Sequence, residues 1–393
     1  MNALFVIHTP KDPQTAVFKV ISEQADALRA RGHSVGVLAP EDFAIARWAG
    51  PRFNPLLLPV VVVFRLIGTR ERLDLIKFHS YSGWLFALLR SMFPNWRKTK
   101  VVTEFHGLEP IYIRALRDEM GRCDRPLSWR YLLINSWFMD QILRTACRYS
   151  DRVLCLNTGE IQWMTENEWA GGCNIELFRN GAAPEFFELA RDYDRQPATL
   201  LFVGQWDLRK GIHYLVNSFT ELAGQHPKLR LICAGTLRDA MTVLDDFPTD
   251  IRSRVIVRSR VNREELIELH SMADVFVFPT LFEGSSLALL EAMASGMPIV
   301  TTQVGSAPDI LSDEQSVLFV PTAEEKPLTA AIQRLLNDRE MRSSLGTNAR
   351  SAAQDYRSAA ALAHNVSQLE GLVRDDCCPQ FVHEPASVAP VRN

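Results

Sequence analysis

Hydrophobic and polar positions alternate along the chain in a repeating strand and helix pattern. Residues 4–7 form an apolar run typical of a buried strand, a helical period extends from 15 to 31 and stops at Gly32, and residues 34–38 are again strand-like. The same patterns predict one amphipathic helix over 129–149 and further strands at 73–78, 100–105 and 152–156. Strands that alternate with helices favour a parallel sheet with helices packed on its faces.

A second strand and helix series begins after a polar stretch. Residues 188–197 are polar and end in Pro197, which predicts an interdomain linker, and the two aspartates at 192 and 194 are predicted to form a solvated turn. New strands are predicted at 199–203, 229–234, 254–258, 275–279 and 298–301, and helices at 328–337, 340–353 and 359–373. We therefore predict two α/β domains, a C-terminal helix and a disordered tail, over residues 1–187, 198–355, 356–374 and 375–393 respectively.

Two parallel-sheet domains also predict where a ligand binds. Ligands of open α/β sheets bind at the carboxyl ends of the strands, so the cleft between the two domains is the expected site.

The segment from 273 to 300 carries the most specific signal. An apolar strand ends at Pro279, and a loop with Glu283 and Gly284 follows. Ser285 or Ser286 can then cap a helix. Free N–H groups at such a helix start attract phosphate.

The helix in this segment brings a second carboxylate toward the same ligand. Its apolar face begins at Leu287, and Glu291 lies about two turns into the helix while Glu283 stays in the loop. Carboxylates accept hydrogen bonds from paired sugar or ribose hydroxyls, and a sugar joined to a diphosphate suits both features. The alternative interpretation is an ordinary capped amphipathic helix with Glu291 on its solvated side.

A second segment, residues 200–211, is built to receive phosphate. A strand leads into a loop that contains Gly204 and ends on Arg209 and Lys210 before a new helix. Glycine lets the backbone pass close to a ligand, and the two cations can neutralise a leaving diphosphate. The alternative is a solvated helix start.

These segments together resemble the signature of retaining glycosyltransferases of family 4, the group 1 glycosyl transferases, over nearly the whole second half of the chain. The resemblance implies the GT-B fold, with two Rossmann-like parallel-sheet domains facing a cleft and a C-terminal helix that crosses back to the first domain. It also implies transfer of a hexosyl unit from a nucleoside diphosphate sugar to a hydroxyl acceptor. In that family Glu291 would hold the ribose and Glu283 would approach the donor sugar. No cofactor or metal is expected, because cations and helix termini already supply positive charge.

Two histidines of the first domain lie just past predicted strands. His106, followed by Gly107, resembles the active-site histidine of the family, whose side chain contacts the donor sugar, and His79 occupies a weaker similar position. The alternative for each is a structural histidine whose hydrogen bonds are satisfied in the core.

The chain departs from the family pattern at two places. Gln205 stands where the family commonly has arginine, so charge neutralisation is expected to pass to Arg209. The loop after the first strand contains no glycine, and Lys11 or Thr15 is the expected substitute for a phosphate contact on that side. Two further segments, Asn180 with Gly181 and residues 305–309, resemble family elements and are assigned structural roles first.

Composition and missing motifs exclude several classes of protein. The 393 residues carry a net charge of −3 with no strongly basic region, so no nucleic-acid partner is predicted. No GxGxxG follows the first strand, and no phosphate-binding GxxxxGK[ST], HExxH or paired-cysteine zinc motif is present. The seven cysteines, without a CxxC pair, favour a cytoplasmic location.

The apolar run at 55–64 bears on membrane contact. It is shorter than the roughly 20 residues needed to span a bilayer, so a buried helix is the simpler interpretation. Peripheral contact with the inner face of a membrane is the alternative, because Arg65 adjoins the apolar face.

Two other functions remain open at this stage. One is a nucleotide-sugar epimerase on the same architecture, and the other is a non-catalytic subunit that binds a nucleotide sugar. The sequence does not choose between UDP and GDP or identify the sugar or acceptor.

Overall fold

The computed structural model describes residues 1–12, 15–43, 54–69, 71–169 and 174–374. In this part of the chain, two separate sheets of six parallel strands each are present. The first has the order β2-β1-β3-β4-β5-β6, with β1 Asn2–Val6, β2 Ser34–Leu38, β3 Leu75–His79, β4 Lys100–Glu104, β5 Arg152–Cys155 and β6 Asn174–Leu177. The second has the order β12-β11-β10-β7-β8-β9, with β7 Thr199–Val203, β8 Arg230–Ala234, β9 Val255–Arg258, β10 Val275–Phe278, β11 Ile299–Thr302 and β12 Leu318–Val320.

Helices connect the strands of each sheet in the right order for a parallel arrangement. Those up to the interdomain region are α1 Ala16–Ala30, α2 Asn54–Ile67, α3 Trp84–Leu89, α4 Glu109–Arg122, α5 Trp129–Leu132, α6 Met139–Arg148, α7 Thr158–Glu166 and α8 Pro184–Phe187. Those that follow are α9 Ile212–Gln225, α10 Ala240–Asp245, α11 Arg263–Met272, α12 Leu287–Ala294, α13 Ala307–Ile310, α14 Glu325–Asn337, α15 Arg339–Ala353 and α16 Ser358–Arg374.

The final helix packs on the first domain, although it follows the second in sequence. Val366, Leu369 and Leu372 of α16 share a core with Ile21 and Leu28 of α1. This observation agrees with the crossing predicted from the family resemblance. The apolar stripe of α16 therefore packs on the N-terminal sheet layer, which explains why the chain returns there.

The chain crosses between the domains at two adjacent places. The Ala182 N–H donates to the Tyr356 carbonyl at 2.8 Å, and the Ser358 N–H donates to the Ala182 carbonyl at 2.9 Å. Phe186, which precedes the predicted boundary at residue 187, lies in the core of the second domain. The predicted linker is also held in place, because Arg191 donates to the carbonyls of His270, Ala273 and Ser295.

One expectation needs correction, two strands were not predicted, and one prediction lies outside the described residues. The helix predicted over 129–149 is interrupted by a π-helical stretch, Leu133–Phe138, between α5 and α6. Strands β6 and β12 were not predicted, because they are edge strands of only four and three residues with too little alternation to give a pattern. The predicted disordered tail, residues 375–393, lies outside the described residues.

The apolar run at 55–64 forms most of α2. Leu58, Val62 and Leu66 are buried against the first sheet, as the buried-helix interpretation predicts, whereas Phe64 and Ile67 are exposed. No helix among the described residues combines the length and hydrophobicity needed to cross a bilayer.

Candidate active site

The phosphate-binding segment predicted at 200–211 is shaped by a left-handed glycine. After β7 the chain makes a 3-10 turn at Leu208–Lys210 and continues through Gly211, whose φ is +67°. A Cβ on Gly211 would lie 2.0 Å from the Pro279 carbonyl oxygen, so only glycine fits between this turn and the end of β10. The turn brings the Lys210 side chain back against Gly204, at the carboxyl end of β7.

Lys210 and Arg209 both approach Glu283. The Lys210 Nζ atom lies 2.5 Å from Glu283 Oε1, and Arg209 Nη1 lies 3.6 Å from the same oxygen. The Thr280 hydroxyl donates to that oxygen at 3.1 Å. The structure thus joins the two segments that the sequence singled out, with two cations and one carboxylate at their junction.

Burial and charge act against each other in this cluster. Burial lowers the pKa of Lys210, and the Glu283 carboxylate partly opposes that shift. For Glu283, burial alone would raise the pKa, but Lys210 and Arg209 together hold it below its usual value. The Glu283 carboxylate is therefore ionised at neutral pH, and the two cations are balanced by Glu283 and by Asp207, whose Oδ1 atom lies 3.9 Å from Arg209 Nε.

The helix start after this loop has the predicted form. The Ser286 side chain caps α12 by accepting from the Leu289 N–H at 3.3 Å, and α12 begins at Leu287. Ser285 and Ser306 join their hydroxyls at 3.1 Å just before the cap. The loop and the first turn of α12 therefore present backbone N–H groups at the same end of the sheet as Lys210.

Glu291 lies in the second turn of α12 and is 7% exposed. Burial raises its pKa to about 7, with a smaller opposing effect from Lys19 of the first domain and Arg263. The solvated-helix alternative therefore does not describe this residue. A buried carboxyl that faces charges from both domains is suited to accept hydrogen bonds from a ligand in the cleft.

Gln205 is exposed beside the loop. The family resemblance leads one to expect an arginine at this position. Within the loop, the cations that can take its role are Arg209 and Lys210, whose positions are given above.

The first domain contributes a cluster of imidazoles at the ends of β3 and β4. The His106 Nε2 atom lies 2.9 Å from His79 Nδ1 and 3.2 Å from Glu104 Oε1. The two rings lie parallel to each other. His79 is fully buried while the His106 side chain retains some exposure, so His106 is the member of the pair that a ligand can reach.

A buried lysine lies behind these histidines. Lys77 Nζ lies 2.7 Å from Glu104 Oε2, contacts the Gln24 side-chain oxygen and lies over the Phe5 ring. Burial lowers the pKa of Lys77, although Glu104 opposes the shift. The ion pair is sealed in the core, and it fixes the carboxylate whose Oε1 atom lies 3.2 Å from His106 Nε2.

The imidazoles themselves are held neutral. Burial lowers the pKa of His106, against the attraction of Glu104, and burial followed by the charge of Lys77 lowers the pKa of His79 well below its usual value. His8, whose Nδ1 lies 3.2 Å from the His79 carbonyl oxygen, has its pKa lowered to about 4 by burial and by His106. Neutral imidazoles can donate one hydrogen bond and accept another.

The two halves of the site touch at a glycine. A Cβ on Gly284 would lie 2.7 Å from the His106 carbonyl oxygen, so the two backbones approach as closely as glycine allows. Asn157 of the first domain donates to the Gly284 carbonyl at 3.1 Å, and the Thr158 N–H donates to Asp309 at 2.8 Å. The domains are therefore in contact on either side of the cleft.

The remaining predicted residues lie at the edge of this arrangement. Lys11 Nζ pairs with Asp42 at 2.7 Å, and the Thr15 hydroxyl donates to the Asp12 carbonyl at 2.8 Å. Asn180, assigned a turn role, donates to the Ser285 carbonyl at 3.1 Å. It so reaches the loop of residues 279–286, which we name the donor loop after its predicted role. Residues 305–309 support that loop, because a Cβ on Gly305 would lie 2.6 Å from the Glu283 and Gly284 carbonyl oxygens.

Several site residues were missed by sequence reasoning. Lys77 and Glu104 interrupt otherwise apolar strands, and opposite charges in two neighbouring buried strands were the signal that could have identified them. His8 directly follows the first strand and could have been predicted in the same way as His106. Asn157 and Asp309 give no such signal, because their role depends on how the domains meet.

One atom each of His79, Glu104 and His106 lie close enough together to hold a metal ion. The Lys77 ammonium already compensates the Glu104 charge, so a hydrogen-bonded network describes this group more simply than a cation site. The expectation that no metal is needed stays a prediction.

The chain matches two family models in succession. Residues 17–186 match the model described as Glycosyltransferase Family 4, and residues 188–352 match the model described as Glycosyl transferases group 1. The two matches contain His106 and the donor loop, respectively.

Among curated relatives, the sulfoquinovosyl transferase SQD2 of Arabidopsis thaliana is 38% identical over 358 residues, which is 84% of this chain and 65% of that protein. The aligned segments cover between 39% and 65% of the length of eight curated relatives that the chain matches.

Solved structures share the whole architecture. Sucrose-phosphate synthase of Thermosynechococcus elongatus is 20% identical and superposes with a TM-score of 0.74 over 94% of this chain and 98% of its own. HepE of Anabaena, solved in complex with UDP, is 15% identical and superposes with a TM-score of 0.67 over 94% of this chain and 100% of its own. At these identities the likeness establishes the fold alone, and it confirms the predicted GT-B fold.

Proposed function

The chain belongs to the group 1 and family 4 glycosyltransferases, and from this premise we propose that it transfers a hexosyl unit from a nucleoside diphosphate sugar to a hydroxyl acceptor with retention of configuration. The observation that carries the proposal is the cluster of Lys210, Arg209 and Glu283 beside the capped start of α12. The two cations are balanced by the carboxylates of Glu283 and Asp207, and they lie where a diphosphate would depart, so a ligand phosphate can compete for them.

The division of roles follows from the positions of the side chains. Lys210 and Arg209 would stabilise the leaving diphosphate, and Glu291 would accept from the ribose hydroxyls. His106 would contact the sugar from the opposite side of the cleft, held in orientation by Glu104. The positive charge that the diphosphate requires would come from the protein, so turnover is expected to survive EDTA.

Among retaining mechanisms, the state of the carboxylates argues against a double displacement. A double displacement needs a free carboxylate nucleophile beside the anomeric carbon. Glu283 is already engaged by two cations and Glu104 by Lys77, so neither is suited to that role. We therefore favour attack of the acceptor on the face from which the diphosphate leaves.

The donor is to be found by a panel of UDP, GDP and ADP conjugates of common hexoses. Because one relative is described as a sulfoquinovosyl transferase and one structural neighbour was solved with UDP, the panel should include a UDP conjugate of sulfoquinovose. Each donor is tested for a thermal shift and then for nucleotide release with and without acceptor hydroxyl compounds. Ligand at 100 times its Kd should add about 2.7 kcal/mol of stability.

Substitution tests whether any nucleotide release comes from this site. Lys210→Met should abolish most nucleotide release, whereas Lys98→Met, which changes an exposed lysine, should leave it unchanged. An α-linked product from an α-linked donor supports retention, and an inverted product contradicts it. Conversion of the sugar without any acceptor would identify an epimerase, and donor binding without release or conversion would identify a binding subunit.

We also propose a cytoplasmic protein that contacts a membrane surface through its first domain. An exposed aromatic and aliphatic stripe runs over α5 and the π-helical stretch, with Trp129, Leu133 and Trp137 each at least half exposed. Arg130 lies on the same short segment, and tryptophan beside arginine is the composition of interfacial contacts. Trp129→Ser with Trp137→Ser should reduce sedimentation with anionic vesicles, and equal sedimentation would contradict the proposal.

A further inference from the structure

Three metal-ligating side chains from the two domains meet behind the donor loop. Glu119 and Cys123 stand one helical turn apart at the end of α4, and His213 is the second residue of α9. One ligand atom of each lies within 4.8 Å of the other two. Residues four apart on a helix present their side chains on one face, so α4 and α9 offer three ligands to a single point.

The environment of each ligand fits this role. Glu119 is 1% exposed, and the Tyr214 hydroxyl donates to both of its carboxylate oxygens, at 3.0 and 2.9 Å. Hydrogen bonds of this kind orient the carboxylate ligands of metal sites.

The other two ligands are available. His213 Nε2 is buried and has no hydrogen-bond partner among the described residues. Cys123 is exposed, and its Sγ atom lies 4.0 Å from Glu119 Oε1. Arg122 Nη1 lies 3.3 Å from Glu119 Oε2, but its side chain is about half exposed and can turn toward solvent.

We propose that Glu119, Cys123 and His213 form a zinc-binding site that joins the two domains. Carboxylate, thiolate and imidazole are the ligands that zinc takes, and ligands about 2.0–2.3 Å from a tetrahedral ion are roughly 3.3–3.8 Å apart. The observed spacing therefore requires side-chain shifts of about 1 Å. The fourth position is open to water.

The position of the site gives it a consequence for the catalytic cleft. His213 follows Lys210 by three residues, and α4 also carries Tyr112, whose ring packs against Phe282 of the donor loop. An ion held between α4 and α9 fastens the first domain to the segment that carries Lys210. Because product release in two-domain enzymes requires the domains to separate, bound zinc should hold the closed arrangement and slow turnover.

Cobalt(II) is the probe that tests the site directly, since a thiolate ligand gives it a charge-transfer absorption band. The metal-free protein is prepared with Cys377→Ser and Cys378→Ser, which removes two adjacent thiols of the C-terminal segment. We expect one equivalent of cobalt to produce the band and one equivalent of zinc to remove it. Cys123→Ser should abolish the band, and His213→Gln should weaken cobalt binding at least tenfold.

His364→Gln, which changes an exposed histidine on α16, is the matched control and should leave cobalt binding unchanged. A band that persists in Cys123→Ser overturns the proposal, and so does cobalt binding that is unaffected by His213→Gln, because the site would then not join the domains. If Cys123→Ser fails to fold, the His213→Gln comparison decides alone. None of these measurements depends on glycosyl transfer, so the metal site can fail while the proposed function stands.

Discussion

The two sides of the cleft handle charge in opposite ways. On the C-terminal side, Lys210 and Arg209 share one carboxylate, and each of these three side chains keeps some exposure. On the N-terminal side, Lys77 and Glu104 form a fully buried pair, and the histidines in front of it are held neutral. One side therefore offers charge to a ligand and the other offers oriented, uncharged hydrogen-bonding groups.

This difference assigns contacts with a diphosphate and contacts with a sugar to different domains. A diphosphate needs cations that it can reach, whereas a sugar needs donors and acceptors at fixed positions without a field that competes with the developing charge. Placing the two sets on different domains lets each be tuned by its own core. The two sets meet where Gly284 packs against the His106 carbonyl oxygen.

Glu104→Gln removes the anion of the buried ion pair on the N-terminal side, and we expect the largest effect on stability from it. It leaves the Lys77 ammonium without an anion in the core, which should cost about 3–5 kcal/mol of unfolding free energy in urea denaturation. The double variant with Lys77→Met should lose less than the single variant, because no unpaired charge remains. Glu283→Gln is the matched change on the C-terminal side and should cost less, because Lys210 and Arg209 keep some exposure. Equal losses would remove the distinction between the two sides.

Lys210→Met removes a cation from the C-terminal side of the cleft. The leaving diphosphate loses its closest cation, so kcat should fall by about 10²–10³-fold while the urea midpoint changes little. Steady-state nucleotide release measures this, with circular dichroism as the check on folding. A fall in kcat that is matched by lost stability would mean that Lys210 is structural.

Glu291→Gln tests the C-terminal side of the cleft through the pH dependence of stability. Burial raises the pKa of Glu291 to about 7, so the folded state binds this proton more tightly than the unfolded state, and that stabilisation is lost as pH rises from about 4.5 through 7. The variant should therefore be up to about 3 kcal/mol more stable than the parent at pH 8 and nearly equal to it at pH 4.

The same variant should bind donor more weakly above pH 7, where the parent presents a carboxylate to the ribose. Thermal unfolding across pH, with and without the nucleotide, tests both effects, and Glu268→Gln on the exposed face of α11 is the control. A stability gain that does not vary with pH would contradict the assignment of the shift to this carboxyl.

Gln205→Arg should have the smallest effect. It adds a cation to an exposed position on the side that already carries charge, so donor affinity should rise by up to about tenfold, or about 1.4 kcal/mol. Isothermal titration with the nucleotide measures it, and Gln205→Met supplies the neutral comparison. An equal gain with methionine would exclude charge as the cause.

Much of the C-terminal half could be predicted from the sequence because its chemistry is local. Glu283, Ser286 and Lys210 lie in short segments where strand, loop and cap follow one another, and the structure places them as those segments predict. The link between Lys210 and Glu283 needed only the order of adjacent strands in a parallel sheet, β7 next to β10.

The N-terminal half was less predictable because its chemistry is long-range. His106 could be identified by its place after a strand, but its neutral state depends on burial and on Lys77, 29 positions away in sequence. Likewise, the interruption of the 129–149 helix and the contact between Thr158 and Asp309 depend on tertiary packing, which no local pattern encodes.

The adjacent crossings at Ala182 and Ser358 have a consequence for engineering. The segment between them leaves and re-enters the first domain at points joined by two hydrogen bonds, so in topological terms the second domain is an insertion with paired ends. Such a segment can be exchanged as a cassette. If the second domain binds the donor, as we propose, a chimaera that takes residues 183–357 from a relative should acquire that relative's donor preference while the first domain and α16 stay intact.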